Sequence, residues 1–121
     1  ELIARIKAVI RRNIDNNSIF LKGIEINELS RTVIIDKKVK LTPTEFEILY
    51  CLMQHFNNSV TLATLLDEVW GYDSDEDVRM VRVHVGGLRQ KIETDTKNPK
   101  YLHTVTNVGY KLTPIIGMEN N

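Results

Sequence analysis

The residues of this chain best suited to bind a ligand are the cationic side chains of residues 75–92. Apolar residues recur here every three or four positions, which predicts an amphipathic helix buried along Val78, Val81, Val85, Leu88 and Ile92. No acid lies between Val78 and Ile92, whereas four cations do, namely Arg79, Arg82, Arg89 and Lys91. The exposed side of such a helix would be positively charged and able to enter the groove of a polyanion.

The face opposite the apolar stripe holds the side chains that would meet this ligand. It comprises Arg79, Arg82, Val83, Gly86 and Gln90, with Arg89 on its flank. Arginine can donate two hydrogen bonds to guanine, so Arg82 is the best candidate for reading a base, and Val83 can contact a thymine methyl group. We therefore interpret the segment as a DNA recognition helix. The alternative is an ordinary solvated surface helix.

Charge is distributed unevenly, although 16 basic and 16 acidic residues cancel over the chain. Residues 1–40 carry nine bases and five acids (+4), residues 41–78 carry eight acids and no base (−8), and residues 79–121 carry seven bases and three acids (+4). Such a domain can place its basic flank on phosphate and offer its acidic flank to a protein.

The composition argues against several classes of protein. A chain of 121 residues can bury a core without a disulfide or a metal. Cys51 lies in an apolar run without a nearby histidine, and neither His55 nor His103 has companions at metal-ligand spacing, so we expect a packed thiol and neither metal nor cofactor. Because the sequence contains neither a carboxylate pair, nor a nucleophile with a base, nor a phosphate-binding glycine loop, we do not expect an enzyme.

The sequence also predicts where the protein resides. It contains no long uncharged apolar run and no secretory pattern at its N-terminus. We therefore expect a cytoplasmic protein without a membrane partner.

Local signals predict the order of the elements. We expect a helix over residues 1–12 left from an upstream domain, a linker over 13–18, one domain over 19–114 and a tail over 115–121. Residues 19–41 predict a small antiparallel sheet, because short runs of β-formers alternate with turn residues. Thr42, Pro43 and Glu45 predict a capped helix, and Thr61 can cap a second helix that ends near Gly71.

The predicted recognition helix is the third helix, and a β-hairpin over Tyr101–Thr106 and Tyr110–Thr113 follows it. Gly109 is expected to serve the hairpin turn. A small N-terminal sheet, three helices and a C-terminal hairpin make an α+β fold, the winged helix-turn-helix, in which the hairpin is the wing.

From about Phe20 to Leu112 the sequence resembles the output domain of OmpR/PhoB-family bacterial response regulators. The motifs that carry this resemblance are Leu41–Leu49, Val69–Tyr72, Val83–Val85 with Leu88 and Arg89, and Val108–Tyr110. Residues 1–12 resemble the closing helix of the receiver domain. The resemblance implies a transcriptional regulator that binds promoter repeats in double-stranded DNA as a homodimer, controlled through its receiver domain by a histidine kinase.

The resemblance also implies roles for particular residues. Arg79 and Arg89 match positions that bind phosphate, although either could instead pair with Asp75 or Glu93 along the helix. Trp70 is equally a phosphate contact or a core anchor, and His84 is either structural or a phosphate contact. Backbone or minor-groove contacts are expected from the wing residues Thr104, Thr106, Asn107 and Lys111. RNA polymerase would meet the acidic region, through Glu47, Gln54, Asn57, Asn58, Asp67 and Glu68, which could equally be a solvated surface.

Four positions depart from the family pattern: Arg82, Gly86, Gly87 and Thr106. Two interior glycines cost a helix about 2 kcal/mol relative to alanine, so they either loosen this helix or let its backbone approach DNA. The rival hypothesis is therefore a winged-helix module that binds proteins and has weakened or lost its DNA readout.

Overall fold

The computed structural model describes residues 11–13, 18–21, 24–35, 38–71 and 77–113. The N-terminal part is a five-stranded antiparallel meander in the order β1 to β5. Its strands are β1 (Arg11–Asn13), β2 (Ser18–Leu21), β3 (Ile24–Asn27), β4 (Thr32–Ile34) and β5 (Lys38–Lys40). Ile19 is opposite Ile26, and Ile26 is opposite Val33, so three fully buried side chains form a row across the sheet.

The prediction of a helix over residues 1–12 is wrong for residues 11 and 12, which form part of a strand. Arg11–Asn13 pairs with β2 instead, so the sheet also takes up both ends of the predicted linker over residues 13–18. Residues 1–10, the predicted tail and the other predicted linker residues lie outside the described part of the chain. A stripe of apolar residues favours a helix locally, but strand pairing with a later segment decides the conformation of residues 11–13.

Three helices follow the sheet, and both predicted N-caps, Thr42 and Thr61, are present. Helix α1 spans Pro43–Gln54; the Thr42 hydroxyl accepts from the Glu45 N–H at 3.1 Å, and Glu45 Oε1 accepts from the Thr42 N–H at 3.0 Å. This reciprocal pair is the predicted capping box.

The second helix has two parts. Helix α2 covers Leu62–Leu65 with Thr61 as its cap, and it continues as a π-helical turn, Leu66–Trp70. Gly71 ends this turn at φ +98°, a conformation that favours glycine. Helix α3, Val78–Ile92, starts at Asp77, whose carboxylate accepts from the Arg79 N–H at 2.8 Å.

The C-terminal hairpin consists of β7 (Leu102–Val105) and β8 (Gly109–Leu112), and the short strand β6 (Val60–Thr61) pairs with the other edge of β8. The winged helix-turn-helix architecture predicted from the sequence is confirmed. Its core is shared by the sheets and all three helices, and Val81, Val85 and Leu88 of α3 are fully buried in it. None of the described helices has the length and apolar character to cross a bilayer.

Gly109 has a different role from the predicted one. Asn107, at φ +61°, adopts the left-handed conformation in the hairpin turn. A Cβ atom on Gly109 would lie 2.0 Å from the Val60 carbonyl oxygen, so glycine is required there because β6 and β8 pair closely.

Candidate nucleic-acid interface

The outward face of α3 is exposed as the sequence predicts. Arg79, Arg82, Gly86 and Gln90 are exposed, and the apolar side chain of Val83 retains 62% of its accessible surface. Opposite them, Val81, Val85 and Leu88 hold the helix in the core. The exposed valine is suited to contact a base methyl group in a DNA groove, and the guanidinium groups around it are suited to contact phosphates.

Arg79 forms an ion pair with the carboxylate that caps its own helix. Its Nη2 lies 2.9 Å from Asp77 Oδ2, and its side chain is 82% exposed. The hydrogen bond from this guanidinium lowers the pKa of Asp77 below its ordinary value, and Asp77 in turn raises the pKa of Arg79. Such an exposed pair contributes little to stability, so Arg79 can exchange Asp77 for a phosphate at small cost.

Arg89 connects α3 to the wing. Its Nε donates to the Leu102 carbonyl at 3.1 Å and its Nη2 donates to Thr104 Oγ1 at 2.7 Å, while its guanidinium carbon lies 5.4 Å from the centre of the Tyr110 ring. Arg89 therefore does not form the anticipated pair with Glu93. These contacts fix the position of a positive charge at the junction of helix and wing.

Helix α3 and the wing enclose a shared cleft of about 210 Å³. Arg82 lines it from the helix, and Thr104 and Asn107 line it from the wing. Thr106 is also exposed beside the turn, whereas Lys111 is half-buried on β8. The fold thus brings the predicted base-reading residue Arg82 together with wing residues predicted to contact the DNA backbone or minor groove, more than twenty positions away in the sequence.

The two helical glycines lie in different surroundings. A Cβ atom on Gly86 would have open space around it, since none of the described atoms outside its own helix backbone lies within 4 Å. A Cβ atom on Gly87 would lie 2.7 Å from Glu45 Oε2. The absent side chain of Gly87 therefore faces α1, where glycine allows the two helices to pack closely, a role that the sequence analysis did not foresee.

Comparisons with known proteins match these features. Residues 36–112 match the family described as "Transcriptional regulatory protein, C terminal". The chain belongs to this family. It is 40% identical over 117 residues to the DNA-binding response regulator MtrA of Mycolicibacterium smegmatis, covering 94% of this chain and 51% of MtrA. The chain spans about half the length of the curated relatives it matches.

Solved structures agree with the sequence match. The OmpR/PhoB homologue DrrB of Thermotoga maritima superposes with a TM-score of 0.69 at 28% identity, covering 80% of this chain and 44% of DrrB. The DNA-binding domain of Klebsiella pneumoniae RstA, solved in complex with the RstA box, gives the same TM-score and identity and covers 80% of this chain and 97% of that domain. The predicted OmpR/PhoB-family effector domain is thereby confirmed.

In this effector domain, Trp70 and His84 contact each other. Their ring centres are 5.6 Å apart with an interplanar angle of 49°, and both side chains are half-buried. Trp70 also packs against the core. The contact ties the π-helical turn to α3 and leaves part of each ring at the surface.

Glu93 is a positioning residue that sequence reasoning missed. The residue is 7% exposed, and its carboxylate accepts hydrogen bonds from three consecutive backbone N–H groups, those of Lys100 at 2.7 Å, Tyr101 at 2.9 Å and Leu102 at 2.8 Å. These charge-assisted bonds hold the start of β7 against the end of α3. No local pattern announces such a contact, since an acid after a helix is usually solvated.

The residues that the resemblance assigns to an RNA polymerase contact are all exposed: the acids Glu47, Asp67 and Glu68 and the amides Gln54, Asn57 and Asn58. They lie on α1, on the connection that follows it and on the π-helical turn. Glu68 also contacts the side chain of Cys51 on α1 and that of His55, the C-cap of the same helix. Cys51 Sγ donates to Glu68 Oε1 at 3.1 Å, and His55 Nε2 lies 3.5 Å from Glu68 Oε2.

The prediction that Cys51 has no nearby histidine and that His55 has no companions is wrong. The two residues are four positions apart, one helical turn, and this spacing was readable in the sequence. Burial and the hydrogen bond to Glu68 raise the pKa of the Cys51 thiol far above its ordinary value. The thiol is therefore protonated at neutral pH, as expected of a packed cysteine.

Proposed function

We propose that this effector domain binds double-stranded promoter DNA sequence-specifically and regulates transcription as the output half of a two-component response regulator. The observation that carries the proposal is the cleft in which the acid-free, cationic face of α3 meets the polar residues of the wing. Arg82 is proposed to read a base in the major groove, while Arg79 and the Arg89–wing junction bind phosphate. The similar DNA-binding domain of RstA was solved in complex with the RstA box, which supports DNA as the ligand.

The test is a titration of the domain into fluorescently labelled DNA duplexes at several salt concentrations. One duplex carries the preferred site, identified by selection from random sequences, and the other carries random sequence. Arg79→Ala should weaken binding to every sequence and lower the salt slope by about one phosphate. Arg82→Ala should cost about 1–3 kcal/mol on the preferred site and relax specificity at one base pair. Lys38→Ala is the matched control, because it removes an exposed cation from the N-terminal sheet.

Equal losses from Arg82→Ala on preferred and random DNA would assign Arg82 to the phosphate backbone. A wild-type domain that shows no preference among sequences would contradict the proposal and favour the rival protein-binding module. In that case the cleft would be the place to look for its protein partner.

The wider partners belong to the same proposal. We propose a homodimer on repeated half-sites, an upstream receiver domain and a histidine kinase, and the match to about half the length of a response regulator supports this proposal. Binding of two domains to a two-repeat duplex, measured by analytical ultracentrifugation against a one-repeat duplex, tests the dimer.

RNA polymerase is proposed as the partner of the exposed acidic surface, which carries no base from residue 41 to residue 78. Glu47→Lys and Asp67→Lys should abolish activated transcription in vitro while DNA affinity stays normal, because charge reversal disrupts a complementary interface without touching α3. Normal activation by both variants would leave these acids as solubilising charge. Reduced DNA binding by both would place this surface on the DNA side.

A further inference from the structure

Three different metal-ligand types meet between α1 and the π-helical turn. The sulfur of Cys51, a ring nitrogen of His55 and a carboxylate oxygen of Glu68 all lie within 4.8 Å of one another. Sulfur, imidazole nitrogen and carboxylate oxygen are the three donor types that Zn²⁺ takes from proteins.

The fold fixes two of these ligands before any ion binds. Cys51 lies in the last turn of α1, and His55 is the C-cap of that helix, one turn further on, where its backbone N–H donates to the Cys51 carbonyl at 3.3 Å. Glu68 approaches from the π-helical turn, which packs against α1. The cluster therefore joins two separate elements through side chains, as metal sites in folded domains do.

The cluster is closed on one side and open on the other. Cys51 is 4% exposed, whereas the side chains of His55 and Glu68 are 40% and 42% exposed. An ion can enter from the exposed side, and the same opening leaves room for a water molecule as a fourth ligand. This is the arrangement of three protein ligands and one open position that zinc sites outside the purely structural class use.

We propose that Cys51, His55 and Glu68 form a binding site for Zn²⁺. Zinc bonds of about 2.3 Å to sulfur and about 2.0–2.2 Å to nitrogen and oxygen place ligand atoms roughly 3.3–3.6 Å apart in a tetrahedron. Cys51 Sγ lies 3.1 Å from Glu68 Oε1 and His55 Nε2 lies 3.5 Å from Glu68 Oε2, and all three donor atoms fall within 4.8 Å of one another. A small movement of the half-exposed His55 and Glu68 side chains is therefore enough to bring the three ligands to tetrahedral spacing. On binding, the Zn–S bond replaces the S–H bond, the proton passes to solvent, and the hydrogen bond between Cys51 and Glu68 is given up.

The site is separate from the DNA-binding proposal, because none of its three residues lies on α3 or the wing. It does include Glu68, one of the candidate polymerase residues. Zinc would neutralise that carboxylate and lock it to α1, so occupancy of the site would alter the acidic surface while DNA affinity stays unchanged.

The experiment is a Co²⁺ titration of the folded chain, followed by displacement with Zn²⁺. Wild type should show a near-ultraviolet thiolate-to-cobalt band together with the visible bands of tetrahedral cobalt, and Zn²⁺ should abolish both. Cys51→Ser should remove the thiolate band, and His55→Gln or Glu68→Gln should weaken binding by at least about tenfold. His103→Gln and Glu28→Gln are the matched controls and should bind as wild type does.

A second measurement guards against misfolded variants. Zn²⁺ should raise the Tm of wild type and of both controls, and at the same Zn²⁺ concentration it should raise the Tm of the ligand variants distinctly less. His55→Gln and Glu68→Gln change half-exposed side chains, so they carry the test should Cys51→Ser prove unstable. Absence of the thiolate band in wild type at a large excess of Co²⁺ would overturn the proposal, as would unchanged affinity in both His55→Gln and Glu68→Gln.

Discussion

Replacing each helical glycine by alanine should have opposite effects on stability, although the two glycines are neighbours on α3. Alanine gains about 1 kcal/mol over glycine inside a helix, and this gain applies to both positions. At Gly86 the added methyl group meets open space, so Gly86→Ala should raise the free energy of unfolding by about 1 kcal/mol.

At Gly87 the methyl group would meet the Glu45 carboxylate at 2.7 Å. That carboxylate is buried and accepts hydrogen bonds from the Thr42 N–H at 3.0 Å and from Lys91 Nζ at 2.6 Å. A hydrogen bond to a charged group contributes about 1.5–3 kcal/mol, and displacing the carboxylate weakens at least one of them. Gly87→Ala should therefore lower the free energy of unfolding by about 1 kcal/mol, the propensity gain included.

Urea unfolding of the two single variants gives the comparison, provided that the m values agree. A double-mutant cycle with Glu45→Ala isolates the cause. In the Glu45→Ala background the obstruction is absent, so Gly87→Ala should now stabilise as much as Gly86→Ala does. Equal gains from Gly86→Ala and Gly87→Ala with Glu45 present would refute the assigned role of Gly87 in helix packing.

Two further predictions follow from single contacts. Gly109→Ala should lower the free energy of unfolding, measured in urea, by about 3 kcal/mol, because the new methyl group would overlap the Val60 carbonyl and separate β6 from β8. A loss no larger than about 0.5 kcal/mol, the size found for surface substitutions, would contradict this prediction. Asp77→Asn should make stability less sensitive to acid. The hydrogen bond from Arg79 lowers the pKa of Asp77 from 3.8, so the ionised carboxylate stabilises the fold above that pH and this contribution is lost as pH falls through the lowered pKa. Because the pair is exposed, the effect is small: between about pH 5 and about pH 2 the Tm of the variant should fall slightly less steeply than that of wild type, and an equal or steeper fall would contradict the prediction.

The sequence predicted those features that depend on neighbouring residues. Thr42 with Glu45 and Thr61 with Thr64 form caps over three positions, so their local pattern sufficed. The buried stripe of α3 was readable for the same reason, since its period is that of the helix itself.

Features that depend on distant residues were missed. Glycine is favoured at position 87 because of Glu45, which lies 42 positions away in the sequence. The strand at Arg11–Asn13 forms because β2 pairs with it. The closeness of Cys51 and His55 could have been predicted from the sequence, because they are four positions apart. Only the fold supplies Glu68, and only the fold shows that Arg82 shares a cleft with the wing.

The carboxylate of Glu93 fixes the distance between the end of α3 and the start of the wing, whatever the length of the loop that connects them. It accepts hydrogen bonds from the backbone N–H groups of Lys100, Tyr101 and Leu102. The position of β7 is therefore set by contacts with the end of α3 and not by the loop between them. The connection itself, residues 94–99, is mostly exposed, and lengthening a flexible loop costs little free energy. Evolution can thus vary the length of this loop, and an experimenter can insert a tag or fluorophore there, without changing the register between the helix and the wing.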